Sequence, residues 1–422
     1  MNNQKIRKSA NLLNFAIWYL VFFVFLGYVY KNTNFGLSFM VFVSFLTLVS
    51  IFGVYFISVF REIKVNIVIA IWIPYLLWMS IGYLQKGDIE NFAYWIICFF
   101  LICLARKFHI ADRIPCKLIY NIGIFFLVGI AVQILLPEIY YTYIVPIFTN
   151  SNQIVYWGRA YGYAGFSYQL DAAAVPLAYA EGVFLFYLWD EHNERNKWGK
   201  YLILGLFVVG IMLTGKRMMV LISVVVPIIV YFLSQKVLKK KILTVLLLLV
   251  FLCSVILFIY GNAELLVNNH MFRRIAQTFI NLKQGADIST GRTELYDIAI
   301  EGFKNYPIFG IGVGNFSSLE GAYTATHNTY IQILCEQGVV GLLAFVMPLI
   351  CCLLLTVKKI RVECEISNLR YLKLSLYIQI LYIFYSMSAN SNINLFGYIM
   401  YFFAISMLAE GTKKDVRLLT VH

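Results

Sequence analysis

Charge is what this chain has least of: Asp, Glu, Lys and Arg make up 13% of its 422 residues, roughly half the share of a soluble domain. A soluble protein of this size is thereby excluded. Metal-ligand spacing is missing as well. Of the eight cysteines, Cys98, Cys103, Cys253, Cys335, Cys351 and Cys352 fall in or near apolar runs, and Cys116 and Cys364 fall in loops, so they read as soft apolar filler. No D-x-D pair occurs, and the five histidines (His109, His192, His270, His327 and His422) are scattered; neither a metal nor a cofactor is expected. Alternation of apolar and polar residues, the mark of outer-membrane barrel strands, is absent. So is any internal repeat of the kind that relates the halves of many transporters.

Apolar residues fill the space that charge leaves. They make up 61% of the chain, with a mean hydropathy of +0.77. They come in runs long enough to cross a bilayer core, which takes roughly 20 residues as a helix. The runs predict helices at about 12–30, 36–60, 65–84, 91–105, 118–136, 170–189, 201–215, 218–234, 242–260, 337–357, 372–388 and 393–409. The first follows Lys5, Arg7 and Lys8 and shows no small-x-small cleavage pattern before Lys31, so it reads as an uncleaved transmembrane helix. The expectation is an all-α polytopic membrane protein of about twelve transmembrane helices, with residues 1–422 as a single membrane domain. With both termini in the cytoplasm, every expected cytoplasmic segment carries basic residues, from Arg61 and Lys64 to Lys413, Lys414 and Arg417, as the positive-inside rule asks. The formal charge of +13 is then mostly the excess that orients the helices, and it needs no nucleic acid partner.

Two expected outer segments are long, residues 137–169 and 261–336, and loops well beyond about 15 residues are usually functional or disordered. The second, between the ninth and tenth helices, is too apolar for disorder. Within it Leu295, Ile298, Ala299 and Phe303 recur at helical spacing, predicting a helix over 293–305 with Asp297, Glu301 and Lys304 toward water. The basic residues on this outer side are Lys31, Lys86, Arg159, Lys216, Arg217, Arg273, Arg274, Lys283, Arg292 and Lys304. Topology does not ask for them. Glu181 falls near the middle of the sixth predicted helix, where a charge is expensive and is expected to be paired or protonated.

The most specific stretch joins Gly291–Arg292 to Pro307–Ile308–Phe309–Gly310–Ile311–Gly312–Val313–Gly314–Asn315–Phe316. His327–Asn328 follows, and Glu336–Gln337–Gly338 leads into the tenth predicted helix. The Gly310-x-Gly312-x-Gly314 run is not a dinucleotide fingerprint, because its spacing is wrong and no strand–helix unit surrounds it. It reads as a tight turn that lets backbone approach a ligand or the membrane. At these residues the chain resembles the O-antigen ligase and polymerase superfamily, membrane glycosyltransferases that ligate or polymerise undecaprenyl-pyrophosphate-linked glycans in the periplasm. Leu213–Thr214–Gly215–Lys216–Arg217 looks like the family's Ser-Arg turn, with lysine in place of the serine, and Gly158–Arg159 to Asp171 looks like its looser arginine- and glycine-containing stretch. The good match covers Arg159 to Gly341.

The resemblance implies a multi-pass glycosyltransferase of the bacterial inner membrane that takes an undecaprenyl-pyrophosphate-linked oligosaccharide as donor. Its other partners would be an acceptor glycan, the lipid bilayer and a chain-length regulator. It implies Arg292, Arg217 and His327 as catalytic residues and Arg159, Lys216, Asn328 and Gly312 as substrate-binding ones, with Arg217, Arg292 and His327 sharing one cavity at the outer face. The chemistry agrees, because guanidinium groups grip phosphate oxygens in pairs and keep their proton. His327 is left open between a base, an orienting group and a second cation. Arg159 is left open between pyrophosphate, acceptor glycan and a plain interfacial anchor beside Tyr156, Trp157, Tyr161 and Tyr163. A repeat-unit polymerase is expected first. A ligase acting on lipid A–core is the nearest rival, and a flippase for the same lipid-linked units is the more distant one.

Overall fold

The computed structural model describes residues 67–88, 92, 95, 116–189, 197–235, 237–269, 271–286, 288–289, 291–390 and 395–409. The predicted helices at 12–30 and 36–60 lie outside the described residues, and so does 91–105 apart from Phe92 and Trp95. The described elements are all helical: α1 Ile67–Lys86, α2 Cys116–Leu135, α3 Ser151–Ala160, α4 Leu170–Leu188, α5 Lys197–Leu213, α6 Arg217–Ser234, α7 Leu238–Gly261, α8 Arg273–Lys283, α9 Arg292–Asn305, α10 Thr329–Val362, α11 Ile366–Ser386 and α12 Leu395–Ala409. Five of them are long and apolar enough to cross a membrane: α2, α4, α6, α7 over Lys241–Gly261, and α10. Helix α5 is apolar but shorter. The runs read at 65–84, 372–388 and 393–409 fall on α1, α11 and α12.

Two helices show why this is a membrane protein. Helix α7 leaves Leu243, Leu246, Leu247, Val250, Phe251, Leu257 and Phe258 exposed, an apolar surface far too continuous for water but suited to lipid. Helix α4 is the opposite case, buried almost throughout. Its run of small residues, Ala172, Ala173, Ala174, Ala178 and Ala180, has no exposure at all. Small side chains let backbones approach where lipid gives no hydrophobic reason to associate. A Cβ on Gly123 of α2 would stand 2.2 Å from the Ala180 Cβ. Glu181, on the same helix, is buried.

The residues form two compact units, one containing α1 and everything from Ser289 onward, the other containing α2 to α8. In the first, α10 packs against α1, α9, α11 and α12. Aromatic edges fill that core: Trp72 lies 5.4 Å from Tyr401 and Tyr75 lies 5.0 Å from Phe345, centroid to centroid, distances at which edge-to-face and tilted rings attract. Helix α9 buries Leu295 and Ala299 and exposes Asp297, Glu301 and Lys304, the face read from the sequence.

Helix α10 starts at Thr329, earlier than the predicted 337, because the Asn328 side chain accepts from the amides of Tyr330 and Ile331 and caps it. It is broken at Gly338, whose φ of 64° and ψ of −165° are not helical. The released backbone pairs with the chain before the glycine run: Val339 N–H donates to Pro307 O at 2.9 Å and Val340 N–H to Ile308 O at 3.2 Å. A Cβ at Gly338 would lie 2.3 Å from Ile308 O, and positive φ already favours glycine there. Gly338→Ala should therefore sharply reduce the yield of folded protein and its apparent Tm in detergent. Gly205→Ala, where nothing lies within 4 Å, should leave both unchanged.

Candidate active site

The sequence-predicted residues fall into two groups, one in each unit. In the α2–α8 unit, Arg159 lies in the last turn of α3 and is exposed, while Lys216 and Arg217 lie on the turn from α5 into α6. That turn is fastened backbone to backbone. Tyr163 N–H donates to Leu213 O at 2.8 Å, and a Cβ on Gly162 would sit 2.3 Å from Thr214 O. Gly215 takes a φ of 68° and touches the Tyr161 carbonyl so closely that a Cβ would be 2.1 Å away. Glycine at both positions is thus a packing requirement. Lys216 pairs with Asp171 at 2.7 Å. Asp171 and, more strongly, burial push the Tyr168 phenol up to about 12, so that hydroxyl stays protonated.

Helix α8 ties this group together. Arg273 donates to the Arg159 carbonyl at 2.8 Å and to the Val267 carbonyl at 3.3 Å. Arg274 donates to Gly215 O at 3.2 Å while its guanidinium lies 4.8 Å from the Tyr161 ring centroid, within cation–π range. Arg217 donates to the Thr278 hydroxyl, which donates in turn to Arg274 O at 2.9 Å. Four cations, Lys216, Arg217, Arg273 and Arg274, thus gather with Asp171, and the backbone of Arg159 is bonded to the same group. Motif reading missed the roles of Arg273 and Arg274. Their only signal was a basic pair on the expected outer side.

In the other unit Arg292 opens α9 and donates to Ser388 O at 3.3 Å, just past the end of α11. The segment carrying His327 fastens to the same turn: Thr329 donates to Ala389 O at 2.8 Å, and the Thr326 hydroxyl lies 3.3 Å from Asn390 Oδ1. Arg292 and His327 therefore share one support. His327 is half-buried and, among the described residues, is the one non-glycine with positive φ, at 57°.

Two of the expected substrate-binding residues have work inside the fold. Asn328 spends its side-chain oxygen on capping α10. Gly312 donates its N–H to Glu336 O at 2.8 Å. The glycine run lies along the break in α10, and the buried Glu336 carboxylate accepts from Gly314 N at 2.8 Å, Phe316 N at 3.3 Å and Gln332 Nε2 at 3.0 Å. Lys86 donates to Gly314 O from outside. Glu336 is the residue of the motif whose job was not legible. It holds the loop.

Three helices, α6, α8 and α9, begin with an arginine, and none has a side-chain cap. A cation at the positive end of a helix dipole is unfavourable by about 0.3–1 kcal/mol. The same place, with its unpaired N–H groups, suits an anion.

Glu336→Gln replaces a carboxylate oxygen with an amide nitrogen that cannot accept, leaving one buried N–H of the loop unpaired. The expected loss is about 1–3 kcal/mol, read as a lower apparent Tm in detergent. An unchanged Tm would remove the carboxylate from this role.

The chain has no match among curated proteins. Residues 202–346 match the family model described as O-antigen ligase, a stretch that holds Lys216, Arg217, Arg273, Arg274, Arg292, Gly312, His327 and Asn328. The helical membrane architecture agrees with that match, and over this segment the chain is similar to the O-antigen ligase family of the ligase and polymerase superfamily.

Proposed function

We propose that this protein is an O-antigen or related surface-polysaccharide polymerase, joining undecaprenyl-pyrophosphate-linked repeat units at the periplasmic face of the inner membrane. The observation that carries the reading is the arginine at the first position of α6 and of α9, Arg217 and Arg292. Stability alone does not favour a cation at either place. At either helix start a bound phosphate turns the cost into a gain, since guanidinium and backbone N–H groups there act on the same anion.

In the reaction the acceptor sugar hydroxyl forms a bond to the anomeric carbon of the donor glycan, and the bond from that carbon to the pyrophosphate oxygen breaks. The electron pair leaves with the lipid pyrophosphate, and in-line attack inverts the anomeric centre. An arginine at a helix start, Arg292 or Arg217, offsets the growing negative charge. His327 takes or orients the hydroxyl proton. Arg159, the exposed cation of its group, holds the donor phosphates or the acceptor glycan, and Lys216, paired with Asp171, adds a further phosphate-binding cation.

A ligase is the second reading, because the matched family model carries that description. It uses the same donor and the same arginines and differs in the acceptor. A deletion strain separates the two. A lost polymerase leaves lipid A–core bearing a single repeat unit, and a lost ligase leaves bare core. A flippase accounts less well for cations gathered at helix ends.

Arg292→Ala and Arg217→Ala, each accumulating to the parental level, should lower polymer formation on the order of 100–1000-fold. Polymer near the parental amount in the well-expressed Arg292→Ala strain would refute the role given to that side chain.

A further inference from the structure

The His327 segment contains a second hydroxyl-bearing residue that neither the motif nor the reaction uses. Thr326 is completely buried, and polar atoms surround its hydroxyl. It donates to Asn328 O at 2.8 Å and accepts from Asn328 N–H at 3.2 Å. Gln332 Oε1 is 3.4 Å away and Asn390 Oδ1 is 3.3 Å away. A hydroxyl has one proton to give, and the shortest contact, to Asn328 O, takes it. Gln332 already spends its amide nitrogen on Glu336 at 3.0 Å. The Asn390 amide is interchangeable end for end by heavy-atom position, so its NH2 group can face the hydroxyl and complete the ring of contacts.

The position of that ring matters. Asn328 is the residue on the far side of His327, so the two bonds from Thr326 bracket the histidine and close the chain around it. His327 has the left-handed φ of 57°, a conformation that a Cβ disfavours and that persists only where the surroundings over-determine it. Here they do. The bracket fixes Asn328 on one side, Asn328 caps α10, and Thr329 is tied to Ala389.

We propose that Thr326 is the positioning residue for His327: its hydroxyl, closed on Asn328 and braced by Asn390, holds the strained backbone from which the imidazole projects. This rests on the reading of His327 as a participant in transfer. Thr326 itself touches no substrate and acts only through the histidine.

The test uses purified full-length protein with a lipid-pyrophosphate-linked repeat unit as donor. Thr326→Val keeps the shape and removes the hydroxyl. Its kcat should fall on the order of 100-fold, the scale of a small misplacement of a reacting group, while the donor KM stays unchanged. Thr326→Ser should restore most of the rate. Combined with His327→Ala, Thr326→Val should cost nothing further, since the group it positions is already gone. Parental kcat in Thr326→Val, or losses that multiply in the double variant, would overturn the proposal. Full transfer by His327→Ala alone would instead overturn the underlying reading of the histidine. Should Thr326→Val fail to accumulate, Asn390→Ala removes only the outer brace, and the same non-additivity with His327→Ala is required of it.

Discussion

Backbone that leaves a helix at the edge of a membrane has to find its hydrogen bonds inside the protein, because lipid offers neither donor nor acceptor. That constraint shapes both groups of candidate site residues. In α10 the break at Gly338 frees two amides, and the turn at Pro307 and Ile308 supplies their carbonyls. The glycine run in turn leaves the amides of Gly314 and Phe316 to be satisfied, and the Glu336 carboxylate takes them. The glycines are there so that two backbones can touch. The loop's amides at Ile311, Gly312, Gly314 and Phe316 are therefore bonded to α10.

The turn into α6 answers the same constraint in another way. Its carbonyls are met by an amide at Tyr163 and by the guanidinium of Arg274, and the helix that supplies Arg274 also supplies the partners of Arg159 and Arg217. Arginine suits this work because its planar fork can bond to a carbonyl and lie on an aromatic ring together. Of the residues proposed to hold phosphate, Arg159 and Arg217 are thus set by a scaffold that is itself cationic. A scaffold of that kind tolerates its own repulsion best when an anion is bound.

How much of this was legible in the sequence follows from the kind of signal involved. Blocks of apolar residues mark helices without regard to packing, and the 3.6 period over Leu295 to Phe303 gave α9 its buried face. The start of α10 was not legible, because Gln332, Glu336 and Gln337 look like loop polarity; all three are buried in the structure, and Glu336 is paired with Gln332 and the glycine loop. Arg217, Arg292 and His327 stood out because they sit in a motif. Arg273 and Arg274 sit in an ordinary amphipathic run, and what singles them out is the carbonyls they reach across the fold. Thr326 was invisible for a different reason. Its importance follows from a positive φ at its neighbour, and a single sequence does not display backbone torsions.

The central claim is that arginines set against helix dipoles, with a strained histidine, transfer a glycan from a lipid pyrophosphate. It is tested most directly by giving the purified protein, in a bilayer and with no other protein, a lipid-pyrophosphate-linked repeat unit and resolving the products by size. The account predicts a ladder of longer lipid-linked glycans with the new linkage inverted at the anomeric carbon. An unconsumed donor, both with and without lipid A–core as acceptor, would contradict it.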